Sequence, residues 1–357
     1  MRDARGGPRK HALHARKIAF RRHGLYCRQS MPREGCMFKG GKMRKRIDGG
    51  IGAAAALLVC VAWLSDAQAT PTSIRTFVSG TGTDAGMCSR VAPCRSFAYA
   101  LLQTVAGGEI TVLDPGGYGA VTINESVSIV NDGVGEAGVT VSSGNAITIS
   151  TGSSAVVNLR GLTLVGLPGS GEGILFNATG TLNVQNCVIG GFGGDGMGLE
   201  PTGPATFNVA DTVVSNAVGD GVAVETNGAG TVNATFTRVQ ALGDAAGFLV
   251  NGANSTGAVN ATIANSTTSN NSFGVTVEGN SGAAVTQVMV SGTVINNNGT
   301  AIFEDGANST TYLTKDAIAG NTTAFDILNS GAVSSFGDND VKSNGNDGGA
   351  LPLVSAK

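Results

Sequence analysis

Apolar and polar positions alternate along this chain in short runs, and the runs repeat. One motif, glycine followed by apolar, any, apolar and Glu or Asn, reads "GILFN" from Gly173, "GMGLE" from Gly196 and "GVAVE" from Gly221. It continues as "GFLVN" from Gly247, "GVTVE" from Gly274 and "TAIFE" from Thr300, at steps of 23, 25, 26, 27 and 26 residues. A second motif advances beside it: "LRGLTL" from Leu159, "VQNCVI" from Val184 and "VADTVV" from Val209, through to "FGDNDV" from Phe336. Gly, Asn, Ser and Asp fill the gaps, residues that tolerate the left-handed backbone of tight turns. Asn216, Asn270 and Asn297 share one such turn position, as turn formers and ladder builders. A repeat this short leaves no room for a helical crossover between parallel strands, and falls below the roughly 40 residues of a propeller blade. Short strands with corner turns predict an all-β parallel solenoid of roughly ten coils. At about 4.8 Å per coil it makes a rod on the order of 50 Å long.

The period of two along each strand sets the predicted interior. One inward column is Ile174, Met197, Val222, Phe248, Val275 and Ala301; its neighbour is Phe176, Leu199, Val224, Val250, Val277 and Phe303. A third is Leu162, Cys187, Thr212, Val239, Ser266 and Thr293. Before the coils, "PCRSFAYALLQTVAGG" places Phe97, Leu101 and Val105 at helical spacing, which predicts a short capping helix ended by Gly107 and Gly108. The segments "EITVLD", "AVTIN", "VSIVND", "GVTVS" and "AITIS" then read as the first coils.

The start of the chain is of another kind. Residues 1–42 hold 12 of the 23 Lys and Arg and all three His, and read as an upstream over-extension of the reading frame or a disordered basic leader. In 43–69, Arg44, Lys45 and Arg46 precede the apolar run Ile51–Leu64 and the small-residue motif Ala67–Ala69, the pattern of a signal peptide. The expected map is then a cap over 70–108, a β-helix over 109–349 and a tail over 350–357. Beyond residue 69 there remain 8 basic and 21 acidic residues, so the formal charge is 8 − 21 = −13. That balance disfavours nucleic acid and anionic lipid. An exported chain favours a disulfide between Cys88 and Cys94 and leaves Cys187 as a small interior residue.

With these coils in view, the stretch from about Thr76 to Asp347 resembles the right-handed parallel β-helix proteins of the pectin-lyase-like superfamily. "GGEITVLDPGGYG" and "VNLRGLTL…LNVQNCVI" are similar to exported bacterial members of unassigned function. The resemblance implies architecture and leaves activity open. Polygalacturonase-like enzymes carry Gly-His-Gly, which is impossible beyond residue 23, where the last His stands, and they carry Asp-Asp and Arg-Ile-Lys, also missing. Pectate-lyase-like enzymes use an arginine base; Arg160 and Arg238 fall at one coil corner, separated by three coils or roughly 14 Å. Aromatic sugar platforms are limited to Tyr99, Tyr118 and Tyr312. The outward row Glu200, Glu225, Glu278 and Glu304, with Asn177 and Asn251 in its gaps, is the candidate site. Neighbours in that row would stand about 5 Å apart, a spacing suited to a glycosidase pair or to calcium, while also serving as an acidic edge against aggregation. Asp195 and Asp220 form a shorter parallel pair.

The reading is an exported, non-catalytic β-helix module, secreted, periplasmic or on the cell surface, and structural or binding in role. Its expected partner is a polysaccharide or another cell-surface component. The expected state is a monomer or weak oligomer with no transmembrane segment in the mature chain. The alternative is a polysaccharide lyase or glycoside hydrolase working through outward carboxylates on one face.

Overall fold

The computed structural model describes residues 71 and 73–355; the basic leader and the signal-peptide segment lie outside them. The strands form three sheets. Sheet 1 has eleven strands, from Ser73–Val78 at one edge to Ala332–Ser335 at the other. Sheet 2 has nine, from Val121–Ile123 to Thr323–Leu328. Sheet 3 has ten, from Gly116–Gly117 to Asp340–Val341. Successive coils give one strand to each sheet in the order 1, 3, 2, and neighbouring strands run parallel. This is the parallel β-helix that the repeat predicts, and parallel crossovers wind right-handed. Sheet 2 limits the complete coils to nine, against the roughly ten expected.

The period-two alternation is visible in burial. Leu182, Val184, Phe207, Val209, Phe236 and Ile263 point inward and are at most 1% exposed, while the residues between them face out. Like stacks on like: Ile174, Met197, Val222, Phe248 and Val275 pair in register. The third predicted column is interior throughout, Cys187 included. Burial pushes the Cys187 thiol up to about 11, so it behaves as an apolar side chain.

The register departs from expectation at two coils. Val275 pairs with Ile302 and Val277 with Glu304, so the coil is one residue longer than the motif spacing implies. A one-residue slip reverses every side chain on a strand. Phe303 therefore faces out and Glu304 faces in. At the next sheet 1 strand Leu313 pairs with Ser335, not Phe336.

Polar ladders run inside this apolar stack. Where sheet 3 turns toward sheet 2, Asp244 accepts from the Ala217 N–H (2.8 Å), Asn271 from Asp244 N–H (2.7 Å) and Asn298 from Asn271 N–H (3.0 Å). Asn321 and Asn344 continue the series and Asp347 closes it. A side chain thus satisfies the amide that each corner turns away from its sheet. Asn216, Asn270 and Asn297, the residues just before, take φ of 56°, 61° and 55° and are turn formers. The ladder itself belongs to the residue that follows. A matching series at the corner between sheets 1 and 3 runs from Ser266 through Thr293 and Asp316 to Asn339.

At the N-terminal end, helix α1 spans Phe97–Gln103, with the Ser96 hydroxyl accepting from the Tyr99 N–H as its cap. Phe97 and Leu101 are buried as expected. Val105 is not helical: strand Thr104–Val112 begins three residues before Gly107, the expected stop, because pairing with Ser73–Val78 takes the chain over. Tyr118 is fully buried beneath the helix against Phe97, which removes it from the sugar-platform candidates. Cys88 and Cys94 are disulfide-bonded. The loop they close lies along the first strand, with Phe77 N–H donating to Cys88 O and Cys94 N–H to Phe77 O. Replacing both cysteines by alanine should cost about 2 kcal/mol through the freed loop entropy. Hydrogen exchange would show it as faster exchange of the Phe77 and Cys94 amides, with the central coils unchanged. At the other end the described part of the expected tail, residues 350–355, is not free: Leu353 bridges Ser335, and the Val354 N–H donates to Ser335 O.

Candidate functional site

The outer face of sheet 2 carries the candidate carboxylates. Glu225 pairs with Asn251, Asn251 with Glu278 and Glu278 with Asp305. The Glu200 N–H donates to Phe176 O, which sets Glu200 in the same row. The row is therefore Asn177, Glu200, Glu225, Asn251, Glu278 and Asp305. Glu304, expected here, is displaced by the register shift: it is 0% exposed, donated to by Thr311 Oγ1 at 2.5 Å, and Asp305 stands in its place.

A second acidic column lies where each coil enters sheet 2. Asn145, Glu172, Asp195 and Asp220 occupy equivalent places. Each of three of them accepts from the next coil's backbone: Asn145 Oδ1 from Glu172 N–H (2.9 Å), Asp195 Oδ1 from Asp220 N–H (2.7 Å) and Asp220 Oδ1 from Ala246 N–H (2.8 Å). Asp195 and Asp220 are thus committed to holding coils together. Sequence reasoning noted this pair and missed Glu172, although it too directly precedes the motif glycine.

Glu172 is the distinctive member. Between the two acidic columns the outward position is small on two successive coils, Gly198 and Ala223, with Leu175 and Leu249 on either side. The Glu172 carboxylate lies on Gly198, where a Cβ would fall 2.1 Å from its Oε2. That oxygen is buried with no hydrogen-bond partner among the described residues. Burial, then the charges of Glu200, Asp195 and Glu225, push its pKa up to about 7. Burial and its acidic neighbours raise Glu225, and burial and Asp195 among others bring Asp220 to about 6. The face therefore sets a carboxylic acid that holds its proton near neutrality beside carboxylates. Among the described residues, no three His, Cys, Asp or Glu converge so as to hold a metal ion.

The arginines do not join this face. Arg160 pairs with Gln185, whereas Arg238 follows Thr237, which pairs with Ala210, so the two are not at one corner position as expected. Each is held by an aspartate of the preceding coil: Arg160 by Asp132, and Arg238 by Asp211 at 2.6 and 2.8 Å. No helix among the described residues is long and apolar enough to cross a membrane.

No described protein family matches the sequence, and no curated protein is similar to it. Among solved structures the chain is similar to one titled crystal structure of pectate lyase Pel9A. The match covers 79% of this chain and 81% of that one, at 16% identity and a TM-score of 0.43.

Proposed function

We propose that the protein acts outside the cytoplasm as a non-catalytic β-helix module, a rod that binds or spaces cell-surface components through its outer faces. The observation that carries this reading is the structural use to which three of the acidic side chains are put. Asp195 and Asp220 accept backbone N–H groups from the neighbouring coil, and Glu304 is folded into the core. Export rests on the signal-peptide pattern of residues 43–69, and the charge of −13 beyond residue 69 argues against a nucleic-acid partner.

One observation favours a second reading. Glu172, raised to about 7 by burial and by the charge of Glu200, meets the requirement for the general acid of glycoside hydrolysis, with Glu200 as the candidate second carboxyl group. The two readings separate in one assay of the protein against neutral and acidic glycans, following reducing ends and unsaturated products. The module reading expects no turnover. Turnover abolished by Glu172→Gln or Glu200→Gln would overturn it and establish the hydrolase.

A further inference from the structure

The three outer faces differ in kind. Sheet 2 carries the acids. On sheet 1, from strand Gly180–Gln185 to strand Ala332–Ser335, no outward position carries a charge. Such a surface is unexpected on a chain with a charge of −13 beyond residue 69. Its outward positions are mostly amides and hydroxyls in columns.

The central column is ordered by its own hydrogen bonds. Asn158 Nδ2 donates to Ser128 Oγ (2.9 Å), Asn183 to Asn158 Oδ1 (2.7 Å) and Asn208 to Asn183 Oδ1 (2.8 Å). Thr235, exposed, and Thr262 extend the column, which continues through Met289 and Tyr312 to Ser334. A carboxamide has two N–H donors and two lone pairs. A rung that uses one of each keeps the other donor and acceptor for solvent or ligand. The rung also fixes the amide plane, so little rotamer entropy is lost when a ligand binds.

We infer that this face of sheet 1 binds an uncharged, hydroxyl-rich polymer, a neutral polysaccharide laid along the rod. The inference deepens the module reading and rests on it. Charge matching selects the partner: a polyanion would be repelled by the molecule as a whole, and a polycation would be drawn to sheet 2 instead. The periodicity selects a polymer. The face repeats its groups once per coil, about every 4.8 Å, over a length on the order of 25 Å. One sugar would gain a few weak hydrogen bonds, whereas a chain gains them at successive coils. Tyr312 offers one half-exposed ring for stacking one coil before the last strand of the track.

Retention of the protein on insoluble cellulose, mannan and xylan, with polygalacturonate as the acidic comparison, tests this. The expected result is retention on at least one neutral polymer, equal at low and high salt, and stronger for long chains than for their short oligosaccharides. Thr235→Lys and Tyr312→Ala should each weaken it about tenfold with the melting temperature unchanged, whereas Glu225→Gln on sheet 2 should leave it intact. Retention on none of the neutral polymers, retention on polygalacturonate alone, or loss with Glu225→Gln but not with Thr235→Lys would each overturn the inference. The module reading stands or falls separately, on turnover.

Discussion

Asn298→Ala should destabilise the C-terminal half of the rod by about 3–5 kcal/mol. Asn298 is 3% exposed and uses its whole amide. Its oxygen accepts from the Asn271 N–H at 3.0 Å and from Asn271 Nδ2 at 3.1 Å. Its nitrogen donates to Thr268 O at 3.1 Å and to Asn321 Oδ1 at 3.0 Å. Alanine leaves the Asn271 N–H and the Thr268 carbonyl buried without these partners, and each orphan costs about 1–3 kcal/mol. Because a solenoid is held by contacts between neighbouring coils, the damage should spread to the coils on either side. Chemical unfolding followed by circular dichroism measures the loss, and hydrogen exchange locates it at the Asn271 amide. The neighbouring Asn297→Ala is the contrast. Its φ of 55° makes alanine costly by about 1–2 kcal/mol through backbone strain alone. Equal losses for the two variants would show that the ladder contributes no more than the turn.

That contrast also marks how far the fold was legible. Stacking of like on like repeats side chains in sequence, so the coil period, the columns through Val275 and the left-handed asparagines could be read directly. The site was legible in part, because Glu200, Glu225 and Glu278 sit where the motif puts them. The slip at Thr300 arose because "TAIFE" imitates the motif with its glutamate outward. The coil there is one residue longer, Ala301 takes the glycine's place, and Glu304 turns inward toward Thr311. No local pattern announces a buried glutamate, since what makes it tolerable lies seven residues on. Tertiary pairing also overrode helical spacing at Val105. Glu172 reads as an ordinary turn residue until Gly198, a coil away, gives its carboxylate a place to lie.

Raising the pH from 5 to 8 should lower the melting temperature by on the order of 10 °C. Three carboxyls sit inside the rod: Asp244, 5% exposed, Glu304, 0%, and Asp316, 1%. Burial is the main cause that pushes each up to about 7. Asp220 and Asp195 add their charge against Asp244, and Asp338 against Asp316. Thr311 and Ser309 face Glu304 and act in the opposite sense. The unfolded chain releases these protons near pH 4, whereas the folded rod keeps them until about pH 7. Between those values the native state binds more protons, so stability is greatest at the acid end, falls as pH rises and levels off above about 7. Each group accounts for on the order of 3 kcal/mol across that window. Glu172 and Asp220 add in the same direction from the half-buried face. Asp114, held low by the Ser79 hydroxyl and the Gly80 N–H, works the other way, and only as pH falls below about 4. Glu304→Gln isolates the core contribution, since its amide keeps the shape and has no proton to lose. It should match the parent at pH 4.5 and exceed it at pH 8 by about 2–3 kcal/mol. A parent melting temperature that rose from pH 5 to 8, or a Gln variant that followed the parent throughout, would show that Glu304 finds its charge compensated inside the coil.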